Sequence, residues 1–254
     1  MDKAQQKIEI KRNISDKEVL GRDHFLQLFK ESPIPPEEIQ MNLGLYINRQ
    51  NLSRIFFMHD LYKRIINTTG VVMEFGCRWG QNLALYQSFR GMYEPYNYNR
   101  KIIGFDTFEG FKSVHEKDGN AKIVYDGAYA VSQDYTEHLE QVLTHHETES
   151  PISHVKKFEI IKGDATETLE KYLKDNPETI IAFAYFDFDI YAPTKRCLEL
   201  IKNHITKGTV LGFDELNWHD YPGETLALKE VFGLDRFHLQ RSPLCPTPSF
   251  AIVD

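Results

Sequence analysis

The chain has 254 residues, of which 41% are hydrophobic and 26% charged. These values describe a globular protein of one large or two small domains, at roughly 150 residues per domain, that can bury a core without staples. With 30 Lys and Arg against 37 Asp and Glu, the formal charge is −7, which argues against a general nucleic-acid binder.

Cys77, Cys197 and Cys245 are too few and too scattered for a disulfide framework or a zinc site, and read as reduced thiols. Residues 1–13 are charged and lack the apolar stretch of a signal peptide. The longest apolar run, Ile180 to Phe186, is too short to span a bilayer. A cytoplasmic protein with no membrane partner is expected.

In chain order, a helical patch surrounds Phe25, Leu28 and Phe29, followed by Pro33, Pro35 and Pro36. Residues 53–67 read as a helix with Ile55, Phe56, Leu61, Ile65 and Ile66 among basic side chains. Together they make a helical extension over residues 1–67, whose apolar face could pack on a second copy as a homo-oligomer. The main domain runs over 68–254. Its predicted strands are 71–75, 101–106, 158–161, 180–187 and 209–214. Predicted helices over 81–90, 134–146, 166–174, 192–205 and 223–232 alternate with them. That alternation is an α/β, doubly wound, mostly parallel sheet. Two last strands, 236–241 and 249–253, leave no room for a helix between them and form an antiparallel C-terminal pair. Pro193 suits a first helical turn, while Lys202, His204, Lys207 and Gly208 suit a helix end.

In such sheets ligands bind at the carboxyl ends of the strands. The first end reads Glu74-Phe75-Gly76-Cys77-Arg78-Trp79-Gly80, whose glycines permit a sharp turn and close approach to a ligand. It is not G-x-G-x-x-G, which counts against an NAD-dependent oxidoreductase or epimerase. Asp106 ends the second strand, where a carboxylate can accept both hydroxyls of a ribose or simply cap a turn. Asp164, with Glu167 three residues on, reads equally as a helix cap and as an adenine contact. Asp187 and Asp189 follow the fourth strand, and Asp214 and Glu215 the fifth. Four converging acids repel one another unless they are solvated or hold a hard divalent cation, which takes oxygen ligands. His219 is a loop histidine that lines the site or lies on the surface.

These residues resemble a known family. The glutamate-glycine motif, Gly104-Phe105-Asp106-Thr107-Phe108-Glu109-Gly110 and Phe186-Asp187-Phe188-Asp189-Ile190-Tyr191-Ala192-Pro193-Thr194 together resemble the macrocin O-methyltransferase (TylF-like) family, over about residues 54–235. The resemblance implies a Rossmann-like class I S-adenosylmethionine (SAM)-dependent enzyme that methylates sugar or glycoside hydroxyls, in natural-product or polysaccharide biosynthesis. It places Glu74, Gly76 and Gly80 around the methionine part of SAM, Asp106 with Thr107 at the ribose, and Asp164 and Ala165 at the adenine. Asp187, Asp214 and Glu215 would hold magnesium or another divalent cation, with Asp189 as base. In extended backbone Asp189 would share the face of Asp187, and His219, with its near-neutral intrinsic pKa, is the rival base. The family carries Asp-Asp-Tyr after the fifth strand and this chain Asp214-Glu215-Leu216, so a longer arm at 215 shifts the ion or the backbone. Residues 111–150 would cover the substrate, and Trp218, Tyr191 and Tyr129 could stack on sugar faces. A non-catalytic SAM-binding module is the remaining alternative, and Asp187, Asp189 and Asp214 count against it.

Overall fold

Short apolar runs, each flanked by turn residues, set the architecture. A computed structural model describes residues 15–112, 114–119 and 125–254; the charged stretch 1–13 lies outside them. Strands β1 (Val71–Phe75), β2 (Ile102–Asp106), β3 (Phe158–Lys162), β4 (Ile181–Phe186) and β5 (Ile205–Phe213) pair in parallel. Strands β6 (Gln240–Arg241) and β7 (Ser249–Ile252) complete one sheet in the order β3-β2-β1-β4-β5-β7-β6. β7 runs antiparallel to both neighbours, as the helix-free C-terminal segment requires.

Alternation along the strands feeds two cores. Met73, Phe75, Ile103 and Phe105 face α6 (Ala165–Asp175), α7 (Tyr191–Ile201) and α8 (Gly223–Val231). Val72, Ile102 and Tyr185 face α3 (Arg49–Ile65), α4 (Gln81–Tyr93) and α5 (Tyr135–Thr148). Every residue of β1 and β4 is buried, because both faces are covered by helices. Chain order reverses between β1 and β4, which opens a crevice at their carboxyl ends.

Before the sheet, α1 (Asp16–Lys30) begins with a capping box between Ser15 and Glu18, yet buries none of its residues. A short α2 (Pro36–Ile39) and a 3₁₀ stretch lead to α3. α3 buries Phe57, Met58, Leu61, Tyr62 and Ile65, the spacing of one helix face. Phe56 points off that face and is half exposed.

Three sequence expectations change. The helix expected over 192–205 stops at Ile201, and Ile205 instead pairs with Ile181. Lys207 and Gly208 therefore lie inside β5 and end no helix. Gly208 is needed there because its φ is +89° and a Cβ would lie 2.9 Å from Thr68 Oγ1. Of the strand expected over 236–241, only Gln240 and Arg241 pair. Among the described residues no helix is long and apolar enough to cross a membrane.

Candidate active site

A cavity of about 640 Å³ opens at the carboxyl ends of β1 to β5. Its two sides differ in chemistry.

On the side of β1, β2 and β3, each acid has its own protein partner. Glu74, next to last in β1, meets α4, where Asn82 Nδ2 donates to its Oε1 at 2.7 Å. Glu74 Oε2 is buried without a partner. Burial pushes the Glu74 carboxyl up to about 8. Gly76 follows with φ +91°, and a Cβ there would collide with the Asp187 carbonyl oxygen. Only glycine lets the β1 and β4 ends sit so close. Asp106 Oδ2 accepts the Arg78 N–H at 2.7 Å, and Oδ1 accepts the Phe108 N–H at 2.5 Å. A third backbone bond comes from Cys77, so the turn-capping role takes three of the roughly four acceptor sites of a carboxylate. Burial raises the Asp106 carboxyl against these bonds. The Thr107 hydroxyl donates to the Gly110 carbonyl at 2.9 Å, so it is turned into its own loop. Asp164 caps α6, accepting from Thr166 N–H at 2.9 Å and the Thr166 hydroxyl at 2.7 Å. Ala165 lines the cavity beside it.

On the side of β4 and β5 the acids face one another. Asp187 N–H donates to Phe75 O and Asp214 N–H to Phe186 O, extending the ladder one step past the strands. One carboxylate oxygen each from Asp187, Asp214 and Glu215 lie within 4.8 Å of one another. Asp189 also lines the cavity, and Glu215 hydrogen-bonds its side chain. A fifth acid, the fully buried Glu224 of α8, accepts the Glu215 N–H at 3.2 Å. Arg54 Nη2 pairs with Asp187 Oδ2 at 2.8 Å, and Nη1 pairs with Asp214 Oδ1. Among the described residues it is the one basic side chain ion-paired with the cluster. Burial, reinforced by neighbouring acids, holds the carboxyls of Asp187, Glu215 and Glu224 well above the usual range. Burial also lifts Asp189, to about 7. For Asp214 burial acts upward too, but Arg54 with hydrogen bonds from Glu215 and Tyr185 outweighs it, and the carboxyl stays below its ordinary value.

Five acids share one guanidinium, and burial raises four of the five carboxyls. Glu215 Oε2 and Glu224 Oε1 are buried without a partner. Hard oxygen donors grouped this closely, one with an unsatisfied buried oxygen, fit a divalent cation.

Several sequence-derived positions behave differently from expectation. Asp189 reaches the cavity, but not by strand alternation. β4 ends at Phe186, and Asp189 has φ +62°, which breaks the extended backbone. Nor does it cap α7; Asp118 Oδ1 accepts the Tyr191 N–H there, at 2.5 Å. Gly80 starts α4 in a left-handed conformation, packed where a Cβ would strike Leu139, and is not among the residues lining the cavity. His219 lies outside the cavity with a fully exposed ring, 3.5 Å from Asp220. Of the three aromatic candidates only Tyr129 lines the cavity. The Tyr191 hydroxyl is tied to Glu230 and Lys117, and Trp218 packs edge-on against Tyr221.

Sequence reasoning missed Arg54, Glu224 and Arg78. Arg78 lines the cavity with its guanidinium over Tyr129, 4.9 Å from the ring centre. The excess of acids was itself a signal that a cation must lie near, but nothing in the spacing points to Arg54, 133 residues before Asp187.

No protein-family model and no curated protein matches the chain. Solved structures do. The calicheamicin methyltransferase CalS11 is 40% identical, with 97% of this chain and 96% of that one covered, at a TM-score of 0.92. A structure of apo CalS11, described as a TDP-rhamnose 3'-O-methyltransferase, is 37% identical, covers 97% and 99%, and has a TM-score of 0.84. The chain belongs to the TylF-like family of class I SAM-dependent sugar O-methyltransferases. The O-methyltransferase NovP, 16% identical over 92% of this chain and 98% of that one at a TM-score of 0.61, shares the fold. The protein is therefore a SAM-dependent O-methyltransferase, and the dehydrogenase and epimerase readings fall away.

Proposed function

We propose that the protein transfers the methyl group of SAM to a hydroxyl of a sugar, with a nucleotide-linked deoxysugar as the first acceptor to test, and that a divalent cation assists. The observation that carries this reading is one cavity with two unlike sides: separately partnered acids at β1–β3, and the acid cluster at β4–β5. The acceptor class is supported by the 37%-identical relative described as a TDP-rhamnose 3'-O-methyltransferase.

In this reading Glu74 takes the ammonium of the methionine part, Gly76 keeps the floor low, and Asp106 accepts the ribose hydroxyls. Asp164 and Ala165 border the adenine. When bound, SAM supplies an electrophilic methyl, and a divalent cation held by Asp187, Asp214 and Glu215 lowers the pKa of the acceptor hydroxyl and orients it. Asp189 takes the hydroxyl proton as the new O–CH₃ bond forms and the S–CH₃ bond breaks. Its carboxyl, lifted to about 7 by burial, is a stronger base than an exposed aspartate and still partly ionised at neutral pH. Tyr129 lines the cavity and in this reading lies against the acceptor.

The test is transfer of labelled methyl from SAM to a panel of nucleotide sugars and finished glycosides. EDTA treatment is expected to stop transfer and added magnesium to restore it. Full turnover in metal-free protein removes the cation from the reading.

A further inference from the structure

Arg54 belongs to α3, yet its guanidinium reaches across the cavity wall to two strands at once. The fork does not clasp one carboxylate. Nη2 takes Asp187 Oδ2 at 2.8 Å after β4, and Nη1 takes Asp214 Oδ1 after β5. Below it lies the Tyr185 ring, with the guanidinium carbon 5.9 Å from the centre. The Tyr185 hydroxyl donates to the same Asp214 oxygen at 2.5 Å. Each aspartate thus spends one oxygen on Arg54, while Glu215 keeps a buried oxygen without a partner. A planar fork can span two carboxylates in this way; a lysine ammonium is a single point charge on a flexible stem.

We propose that Arg54 is the built-in counter-ion of the cluster: it keeps Asp187 and Asp214 assembled when no metal is present, and its positive charge limits how tightly a divalent cation then binds. The proposal rests on the metal reading above for its second half only. The charges add up simply. Three ionised ligands, one divalent cation and one guanidinium are neutral together. Without Arg54 the loaded site, its ligands ionised by the cation, is left at −1. Removing one partner of such a pair leaves uncompensated charge and destabilises the protein. The same removal deletes a repulsion between Arg54 and the incoming cation, which strengthens its binding.

The experiment uses the full chain, with thermal unfolding in EDTA and calorimetric titration with Mn²⁺. Arg54→Met is expected to melt at lower temperature in EDTA, to bind Mn²⁺ about tenfold more tightly, and to gain more from Mn²⁺ on melting than the wild type. Arg54→Lys, which keeps the charge and guards against a variant that does not fold, is expected to move both readings the same way by less. Adding Asp187→Asn to Arg54→Met is expected to restore melting in EDTA, since one negative charge leaves with its partner. Unchanged melting in EDTA overturns the counter-ion role, as does failure of the double variant to recover. Weaker Mn²⁺ binding by Arg54→Met overturns the limit on affinity and makes Arg54 a support for the ligands. Absence of Mn²⁺ binding in the wild type overturns the metal reading itself and with it the second half of the proposal, while the EDTA melting of single and double variants still decides the first.

Discussion

The two sides of the cavity both carry acids, three toward β1–β3 and five toward β4–β5, but are built on opposite principles. Toward β1–β3, Glu74, Asp106 and Asp164 each have a private donor, from Asn82, from the Arg78 and Phe108 amides, and from Thr166. Each is held by a different stretch of chain, although Asp106 still adds to the rise of the Glu74 carboxyl. Toward β4–β5, Asp187 and Asp214 share Arg54, Asp189 shares a hydrogen bond with Glu215, and Glu224 lies behind them. The first side suits a ligand whose polar groups are spread over its length. The second suits a compact positive charge and a proton in transit.

The comparison breaks most visibly at Asp189. If the crowded side handles the proton, Asp189→Asn should bind SAM normally yet lose roughly 10²–10⁴-fold in turnover, the range for a lost general base. His219→Ala should leave turnover close to wild type, because that ring is fully exposed and outside the cavity. Steady-state rates and S-adenosylhomocysteine calorimetry on both variants decide it. A large loss in His219→Ala with none in Asp189→Asn would reverse the assignment.

On the ordered side, Asp106→Ala should weaken S-adenosylhomocysteine by about 2–4 kcal/mol through lost charge-assisted hydrogen bonds. The structure adds a complication that can be used. Asp106 also holds the Arg78 and Phe108 amides, so part of that loss comes from a loosened loop. Asp106→Asn keeps one acceptor oxygen for a backbone amide and should lose less. Equal affinity of all three proteins in calorimetry would move the ribose elsewhere.

The two sides were also unequally legible in the sequence. Strand ends are readable because fully buried β-strands are apolar throughout, as Ile181–Phe186 is, and because a doubly wound sheet places ligands at those ends. Glu74, Gly76, Asp106 and Asp164 therefore fall at the cavity by position alone. The crowded side depends on distant parts. Arg54 arrives from a helix before the sheet and Glu224 from one after β5, and neither has a local pattern that says so. Asp189 turns on a left-handed φ that alternation cannot foresee. Helix α7 ends four residues short of the expected 205 because Ile205 finds a strand partner in Ile181, a tertiary pairing that overrides helical periodicity.

A further expected effect lies at Glu74 and concerns pH. Its carboxyl has an ordinary value of 4.5 and is pushed up to about 8 by burial, with Asn82 and Arg54 acting against that rise. Between those two values the folded protein holds a proton at Glu74 that the unfolded chain has released. Stability must then fall as pH rises, since the slope follows the protons bound unfolded minus those bound folded. The contribution is fully present below pH 4.5 and is lost by about pH 8. Glu74→Gln keeps the shape and an acceptor for Asn82 but cannot ionise. Its melting temperature should decline less than the wild type's between pH 5 and 8 in ligand-free protein. An ammonium placed against Glu74 favours the ionised form, so S-adenosylhomocysteine should flatten the wild-type slope while leaving Glu74→Gln almost unaffected. If the wild type and the variant decline in parallel, with and without ligand, the carboxyl is already ionised in the folded protein and Asn82 satisfies it unaided.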